Sequence, residues 1–274
     1  MEENGQNTSD IKLILERLNL LEKRVSSLEK FIREKLKVSL DSQLALRGLV
    51  ITESGDPVLV SPDIDKKLYE KLKSYYFRRI VVDILMLGRF RREEAPLYLK
   101  RWGKEVETHL KFLEEVGMVA ESNGDIVSRF SFNYSGLILE WFLSRFLAEE
   151  FGIESKYAVR LKNLKYGGDI DVLGVYDYRI LMIECKESPP NNIPVSELRL
   201  ILRRIDSLKP DIFLFVIDTT LSIKRNIVDN MNWILKSEIK ELKNGVYAFG
   251  KNRFLISAKR DLLKNISFAI RSID

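Results

Sequence analysis

The stretch GGDIDVLGVYDYRILMIECKES, residues 167–188, decides the fold. Its two apolar halves predict a β-hairpin with strands at 169–176 and 179–186. Charged side chains stand among the valines and isoleucines of both strands. A sheet interior tolerates such charges only when something pairs them. The stretch therefore predicts a sheet with a polar site at one end of this hairpin.

Side-chain direction along the two strands groups the charged residues. Residues two apart share a face of a strand, which puts Glu184 with Lys186 and turns Cys185 to the other face. Asp169 and Asp171 likewise share a face. Pairing of the two strands brings Asp171 close to Glu184. Two carboxylates beside an amine suit a hard cation such as Mg²⁺ or Mn²⁺, with water completing the octahedron.

The elements around the hairpin predict an α/β or mixed α+β domain over residues 131–274, with a central sheet covered on both faces. Its predicted helices lie at 136–151, 194–207, 221–239 and from 257 onwards. Its predicted strands lie at 156–161, 169–176, 179–186, 211–217 and 245–249.

The first of these helices carries an acid on its apolar side. In GLILEWFLSRFLAEEFGI, Glu140 shares a stripe with Leu143, Leu147 and Phe151. A buried carboxylate is costly unless it meets a metal ion, a metal-bound water or a lysine. A carboxylate at Glu140 therefore needs such a partner.

Together these residues resemble the PD-(D/E)XK nuclease superfamily, above all its archaeal Holliday-junction resolvases and Mrr-like restriction endonucleases. The matching residues are Glu140, Asp171 and the ECK motif at 184–186. The resemblance covers about 80 residues, from 135 to 215. Asp169 competes with Asp171 for the place of the first strand's acid.

The resemblance implies a restriction-endonuclease-like αβββαβ core and a metal-dependent DNA endonuclease. Asp171, Glu184 and the backbone carbonyl of Cys185 would bind one or two Mg²⁺ or Mn²⁺ ions, with Glu140 contributing directly or through water. Lys186 would position the attacking water or stabilise the charge that develops on the phosphate. The alternative is a salt-bridged Glu184–Lys186 pair in an inactive relic, carried by a DNA-binding transcriptional regulator.

Residues 63–130 predict helices at 66–87, 93–102 and 104–116, followed by a two-stranded hairpin that turns at Ser122-Asn123-Gly124. That order, and the string THLKFLEEVGMV, resemble a winged helix-turn-helix segment of archaeal and bacterial regulators. In that family the third helix enters the major groove of DNA. A dimerisation or protein-binding module stays open, because the acidic Glu105 and Glu107 lie on the same helix.

The resemblance and the basic clusters together nominate a set of DNA-binding residues. Phosphate contacts by such side chains are electrostatic and independent of base sequence. For Arg199 and Arg203, on the helix at 194–207, the alternative interpretation is a face exposed to solvent. The nominated residues are Lys104, Thr108, Lys111, Arg89, Arg91, Arg92, Arg199 and Arg203.

Residues 11–36 read as one long helix with a heptad pattern. Seven of the eight a and d positions between Ile11 and Lys35 are apolar. In a parallel pair, Arg17 and Arg24 at position g would face Glu22 and Glu29 at position e of the partner helix. This pattern predicts a parallel two-stranded coiled coil and hence a homodimer. A helix packed on its own domain is the alternative.

The domain boundaries follow from these segments. We expect a coiled-coil helix at 1–40, a connector with a short hairpin at 41–62, a winged helix-turn-helix at 63–130 and the nuclease-like domain at 131–274.

Composition narrows the class of protein. The 274 residues carry a net charge of +5, which permits a polyanionic partner such as DNA without requiring one. A single cysteine excludes an intrachain disulfide, and a single histidine, His109, excludes chemistry that needs two. No segment reads as a signal peptide or a membrane span, so we expect a cytoplasmic protein, and the abundance of Lys, Glu and Ile favours a thermophilic source. RNA as the substrate stays open.

Overall fold

The computed structural model describes residues 15, 17–25, 27–28, 39–55, 62–98, 105–129, 134–166 and 169–273. The helices are α1 (Leu40–Ala45), α2 (Pro62–Leu72), α3 (Tyr75–Leu87), α4 (Ala95–Tyr98), α5 (Val106–Glu115), α6 (Tyr134–Phe151), α7 (Val195–Leu208), α8 (Asp229–Leu235) and α9 (Leu262–Arg271). The strands are β1 (Val50–Glu53), β2 (Arg89–Arg91), β3 (Val119–Ser122), β4 (Asp125–Ser128), β5 (Glu154–Lys162), β6 (Asp169–Tyr176), β7 (Arg179–Lys186), β8 (Ile212–Ile217), β9 (Lys240–Lys243), β10 (Val246–Ala248) and β11 (Arg253–Ser257).

Eight strands form one mixed sheet in the order β1-β5-β6-β7-β8-β11-β10-β9. Strands β5, β6 and β7 are antiparallel neighbours, whereas β7, β8 and β11 run parallel. The β6–β7 hairpin turns at Asp177 and Tyr178, whose φ angles of 50° and 64° are those of a two-residue type I′ turn. The mixed α/β class and both strands of this hairpin are as the sequence predicts.

The central strands are buried on both faces, as the apolar runs RILMIECK and IFLFVI indicate. Helices α6 and α9 cover one face of the sheet and contribute to one apolar core. Helices α7 and α8 cover the other face, together with α1, and form a second core. The polar end of the hairpin therefore lies between two layers of helices.

An N-terminal layer consists of α2, α3, α5 and a small three-stranded sheet in the order β2-β4-β3. The β3–β4 hairpin turns at Asn123-Gly124, both with positive φ, within the predicted turn, whereas Ser122 belongs to β3. Side chains of α3 and α5 belong to the same apolar core as α6, so one continuous core joins this layer to the large sheet. Its assignment as a winged helix-turn-helix stays a prediction.

A buried ion pair fixes the N-terminal layer to the sheet. The guanidinium of Arg78 on α3 donates from Nε and Nη2 to the two carboxylate oxygens of Asp218, at 2.7 and 2.8 Å, just beyond the end of β8. Only 4% of the Arg78 side chain and 2% of the Asp218 side chain are exposed. Nη1 also donates to the carbonyls of Leu72 and Lys73 and so satisfies the C-terminus of α2.

Several predicted elements are wrong in their bounds. The single helix expected at 66–87 is two helices, because Ser74 caps the start of α3 and Arg78 takes the last carbonyls of α2. The helix expected at 221–239 is a π-helical turn at Lys224–Val228 followed by the short α8. Strand β1, the first strand of the expected connector hairpin, pairs with β5 in the main sheet, and the second strand of that hairpin lies outside the described residues.

The predicted coiled coil lies only partly within the described residues. Residues 17–25 are helical, and Leu18, Leu21, Val25 and Leu28 of the seam are all about half exposed. The remaining seam positions, Ile11, Ile14, Ile32 and Lys35, lie outside the described residues.

Within the described part of the chain, none of the helices combines the length and the apolar character that crossing a lipid bilayer requires.

Candidate active site

The paired part of the β6–β7 hairpin ends at Val172 and Ile183, one residue before the two predicted acids. Beyond that pair, the Asp171 carboxylate takes the place of a backbone partner: the Cys185 N–H donates to its Oδ2 at 2.6 Å. The side chain thus enters the gap between the separating strands. Asp171 and Glu184 meet at this end of the sheet, as the side-chain directions predict.

Glu140 reaches the same place from α6. It lines a pocket of about 610 Å³ together with Asp171, Cys185 and Lys186. The remaining walls are Arg79, Val82, Asp83 and Met86 of α3, Gly136 and Leu139 of α6, and Glu187, Ser188, Pro189 and Asn192 after β7. Three of the four predicted catalytic side chains therefore share one pocket.

Burial and mutual repulsion make the two pocket acids hard to ionise. Burial, and next the charge of Asp171, raise the pKa of Glu140 to about 9. Burial, and next the charge of Glu184, raise the pKa of Asp171 to about 7. A cation between the two carboxylates would favour their charged forms.

The backbone of β5 contributes to the same cluster. Ala158 has a φ of 48°, and the ladder between β5 and β6 skips it opposite Asp171. In this conformation the backbone of Ala158 donates a hydrogen bond to the Glu140 carboxylate. A left-handed conformation costs a non-glycine residue on the order of 1–2 kcal/mol, and such strain is concentrated at functional sites.

Glu184 lies deeper than the pocket acids and is fully buried. Its carboxylate accepts hydrogen bonds from Lys186 at 2.9 Å and from Arg204 at 3.0 and 3.1 Å. Lys186 also pairs with Glu197 at 3.1 Å. Although burial disfavours the charged amine, Glu184 and Asp171 outweigh burial and raise the pKa of Lys186, so Lys186 is a permanent cation at the pocket.

The residues of the pocket fit a divalent cation with a small number of protein ligands. Among the described residues, no three His, Cys, Asp or Glu side chains form a ready metal-binding group. Glu184 is bound by two cations and does not line the pocket, where the acidic residues are Glu140, Asp171, Asp83 and Glu187. Mg²⁺ commonly takes one or two carboxylates, with water and substrate phosphate as its other ligands.

The neighbouring candidates take other places. Asp169 is exposed and pairs with Arg160 on β5, outside the pocket. The thiol of Cys185 is buried, and burial raises its pKa well above the ordinary value, which disfavours the nucleophilic thiolate.

None of the predicted DNA-binding residues that the structure describes lines this pocket. Arg92 is surrounded by Glu107, Glu114 and Glu121, at 2.5 to 2.7 Å. Arg89 pairs with Asp125 at 2.6 Å, and Arg91 with Glu93 at 3.5 Å. Lys104 lies outside the described residues. The remaining predicted residues are exposed: Thr108, Lys111, Arg199 and Arg203.

Sequence reasoning missed Arg204 and Glu197, although a signal was present. Both lie on α7 seven residues apart, on the same side as the buried Ile201 and Leu208. Charged residues on the buried side of an amphipathic helix need partners, and here those partners are Glu184 and Lys186. Arg199 and Arg203, the predicted DNA-binding residues of this helix, lie over the rings of Trp233 and Tyr166.

Comparison with known proteins shows similarity of fold to solved structures but assigns the chain to no family. No protein-family model matches the chain, and no curated protein matches it significantly. Among solved structures, protein VC1899 from Vibrio cholerae is similar, with 16% identity and a TM-score of 0.51 over 85% of this chain and 61% of that one. Can2 from Sulfobacillus thermosulfidooxidans, solved with cyclic tetra-adenylate, has 11% identity and a TM-score of 0.50 over 85% and 60%.

These similarities show a shared fold and nothing further, because the identities are low. The chain spans about three fifths of the length of both proteins. A type III CRISPR defence DNA nuclease activated by cyclic oligoadenylate has 18% identity over 64% of this chain and 23% of that one. Its TM-score of 0.33 is too low to establish a common fold.

The raised pKa values of the pocket acids predict a pH effect on the metal-free protein. A folded-state pKa above the unfolded one stabilises the fold at low pH, and this stabilisation is lost as the pH rises through the folded pKa. We therefore expect the unfolding temperature in EDTA to fall between pH 5 and pH 9, and Glu140→Gln to reduce that fall. Thermal unfolding followed by circular dichroism measures it.

Glu150→Gln is the matched control, because Glu150 is an exposed acid on the same helix. Its pH dependence should equal that of the wild type. An identical fall of the unfolding temperature in Glu140→Gln and Glu150→Gln would contradict a raised pKa at Glu140.

Proposed function

We propose that the chain is a metal-dependent DNA endonuclease that hydrolyses phosphodiester bonds. One observation carries the proposal: the carboxylates of Glu140 and Asp171 come from different elements and face one pocket beside the cation Lys186. Carboxylates held together against burial and repulsion at a cleft are typical of functional sites.

Glu140 and Asp171 would hold the Mg²⁺ or Mn²⁺ ion at the pocket. Glu184 and the backbone carbonyl of Cys185 are further candidate ligands, and Glu184 would have to exchange its contact with Arg204 for the metal. When bound, the metal would supply a water of lowered pKa and would neutralise charge on the phosphate. The ammonium of Lys186, fixed by Glu184 and Glu197, would stabilise the negative charge that develops on the phosphate oxygens.

A second function has an observation in its favour. Glu184 is saturated by Arg204 and Lys186, and the described residues contain no assembled three-ligand metal group. This is what an inactive nuclease-like domain in a DNA-binding regulator would have. Such a protein would bind DNA without any dependence on divalent cations.

Cleavage of a panel of DNAs separates the two functions. Duplex, flap, four-way junction and single-stranded DNAs are incubated with the protein and Mg²⁺, Mn²⁺ or EDTA, with an RNA strand as a further substrate. The nuclease proposal expects cleavage of at least one DNA that EDTA abolishes. Retention of duplex in all three conditions, without any cleavage, would support the regulator.

The proposal includes a homodimer formed through the N-terminal helix. Leu21 is a seam residue with 55% of its surface exposed, and Leu20, outside the seam, is 53% exposed. We expect Leu21→Lys to halve the mass measured by light scattering, because it places a charge in the dimer seam. Leu20→Lys should keep the wild-type mass, and equal masses for both variants would contradict the seam.

DNA docking through α5 and the β3–β4 hairpin remains part of the proposal. Thr108 and Lys111 are exposed there. The acidic residues Glu105 and Glu107 lie beside them, and the charge of Arg92 is balanced by ion pairs with glutamates. The described part of this surface therefore has little unpaired positive charge to offer to phosphate.

A further inference from the structure

Helix α3 of the N-terminal layer forms one wall of the candidate active site. Arg79, Val82, Asp83 and Met86 all line the pocket that contains Glu140 and Asp171. A helix outside the large sheet and its covering helices is thus part of the place where substrate would lie. The site is shared between the two layers of the molecule.

The wall is held in place rather than hinged. Arg78, next to Arg79 in sequence, makes the buried ion pair with Asp218. Apolar side chains of α3, among them Phe77 and Ile84, belong to the same core as α6. Displacing α3 would break this pair and open the core, so α3 keeps its distance from the pocket acids.

Arg79 differs from Lys186, the other cation in the pocket. Lys186 is paired with two carboxylates, Glu184 and Glu197. Arg79 donates from Nη1 to the backbone carbonyl of Glu187 at 3.0 Å. Among the described residues no carboxylate pairs with its guanidinium, so the positive charge of Arg79 is available to an anion in the pocket.

Among its described residues, the N-terminal layer offers no second cation that lines the pocket. Arg92, its most enclosed described basic side chain outside α3, pairs with three glutamates, and two of them, Glu114 and Glu107, raise its pKa. For the described residues, the positive charge with which this layer meets the pocket is therefore that of Arg79 on α3.

We propose that Arg79 binds a backbone phosphate of the nucleic acid in the pocket, so that the N-terminal layer acts as part of the substrate site through α3. This inference rests on the proposed nuclease function and adds a residue to it. The planar guanidinium can give two parallel hydrogen bonds to a phosphate, and its contact with the Glu187 carbonyl orients it beforehand.

Fluorescence anisotropy with a labelled DNA tests the proposal. The probe is the DNA cleaved best by the wild type, held in Ca²⁺ in place of Mg²⁺, at a series of salt concentrations. Arg79→Met should weaken binding about 10-fold or more, because hydrogen bonds to charged groups are the strong ones. It should also lower the slope of log Kd against log salt by about 0.7–0.9, the contribution of one phosphate contact.

Two further variants separate a phosphate contact from a structural effect. Arg79→Lys should keep the salt slope of the wild type, because the charge remains, and lose part of the affinity, because a lysine cannot bind in bidentate fashion. Arg271→Met removes an exposed arginine from α9, outside the pocket, and should change neither quantity.

The outcomes distinguish this inference from the proposed function. If the wild type cleaves and binds DNA while Arg79→Met keeps its affinity and salt slope, Arg79 makes no phosphate contact and the nuclease proposal stands. If the wild type neither binds nor cleaves any nucleic acid, both proposals fail. A loss in Arg79→Met that Arg79→Lys shares in full, salt slope included, would also contradict the phosphate contact.

Discussion

Replacing Asp171 by Asn is expected to lower the rate of DNA cleavage about 1000-fold, equivalent to about 4 kcal/mol in the activation barrier. The amide keeps the shape of the side chain but loses the negative charge that would hold a divalent cation between β6 and α6. It can still accept the hydrogen bond from the Cys185 N–H, so the strand ends should keep their geometry. Single-turnover cleavage at saturating Mg²⁺ measures the effect.

Asp169→Asn is the matched control for this prediction. Asp169 lies two residues away on the same strand, is exposed and pairs with Arg160. Its replacement should leave the cleavage rate within about twofold, since exposed ion pairs contribute little. Equal rates for Asp171→Asn and the wild type would mean that the activity comes from elsewhere, and a larger loss in Asp169→Asn would move the metal ligand to that residue.

Replacing Arg78 by Met is expected to lower the free energy of unfolding by about 3–5 kcal/mol, because it leaves a buried carboxylate without its partner. Asp218 is almost completely enclosed, and both of its oxygens accept hydrogen bonds from Arg78. The change also removes the donor that satisfies the last carbonyls of α2. Urea unfolding of the wild type and the variant gives the difference.

Two companion variants identify the cause of that loss. Lys67→Met breaks the exposed Lys67–Glu115 pair and should cost less than about 1 kcal/mol. The double variant Arg78→Met with Asp218→Leu should recover part of the lost stability, because it removes the stranded charge. If Arg78→Met cost no more than Lys67→Met, the ion pair would not be what holds α3 against the sheet.

The hairpin and its acids could be predicted from sequence because their signals are local. Alternation of apolar and charged residues set both strands, and the tight turn between them set their register. Asp169 and Asp171 could not be separated in this way, since residues two apart share a face. What separates them is depth: Asp171 enters the gap where the strands part, whereas Asp169 lies at the exposed start of β6.

The second layer of the site could not be predicted because it depends on long-range contacts. Arg204 reaches Glu184 only once α7 has packed across β7, and Arg79 reaches the pocket only once α3 has docked on α6. The break between α2 and α3 has the same origin, since the carbonyls at the end of α2 are satisfied by Arg78, which is itself fixed by Asp218. The helical periodicity of residues 66–87 does not depend on Asp218 and so cannot predict the break.

Calorimetric titration of Mn²⁺ into the protein without DNA tests the central claim most directly, with Asp171→Asn titrated alongside. The account predicts a saturable heat of binding in the wild type that Asp171→Asn abolishes, while the folded fraction of both proteins stays the same. Absence of heat in the wild type, or the same heat in both proteins, would show that these acids do not hold a divalent cation.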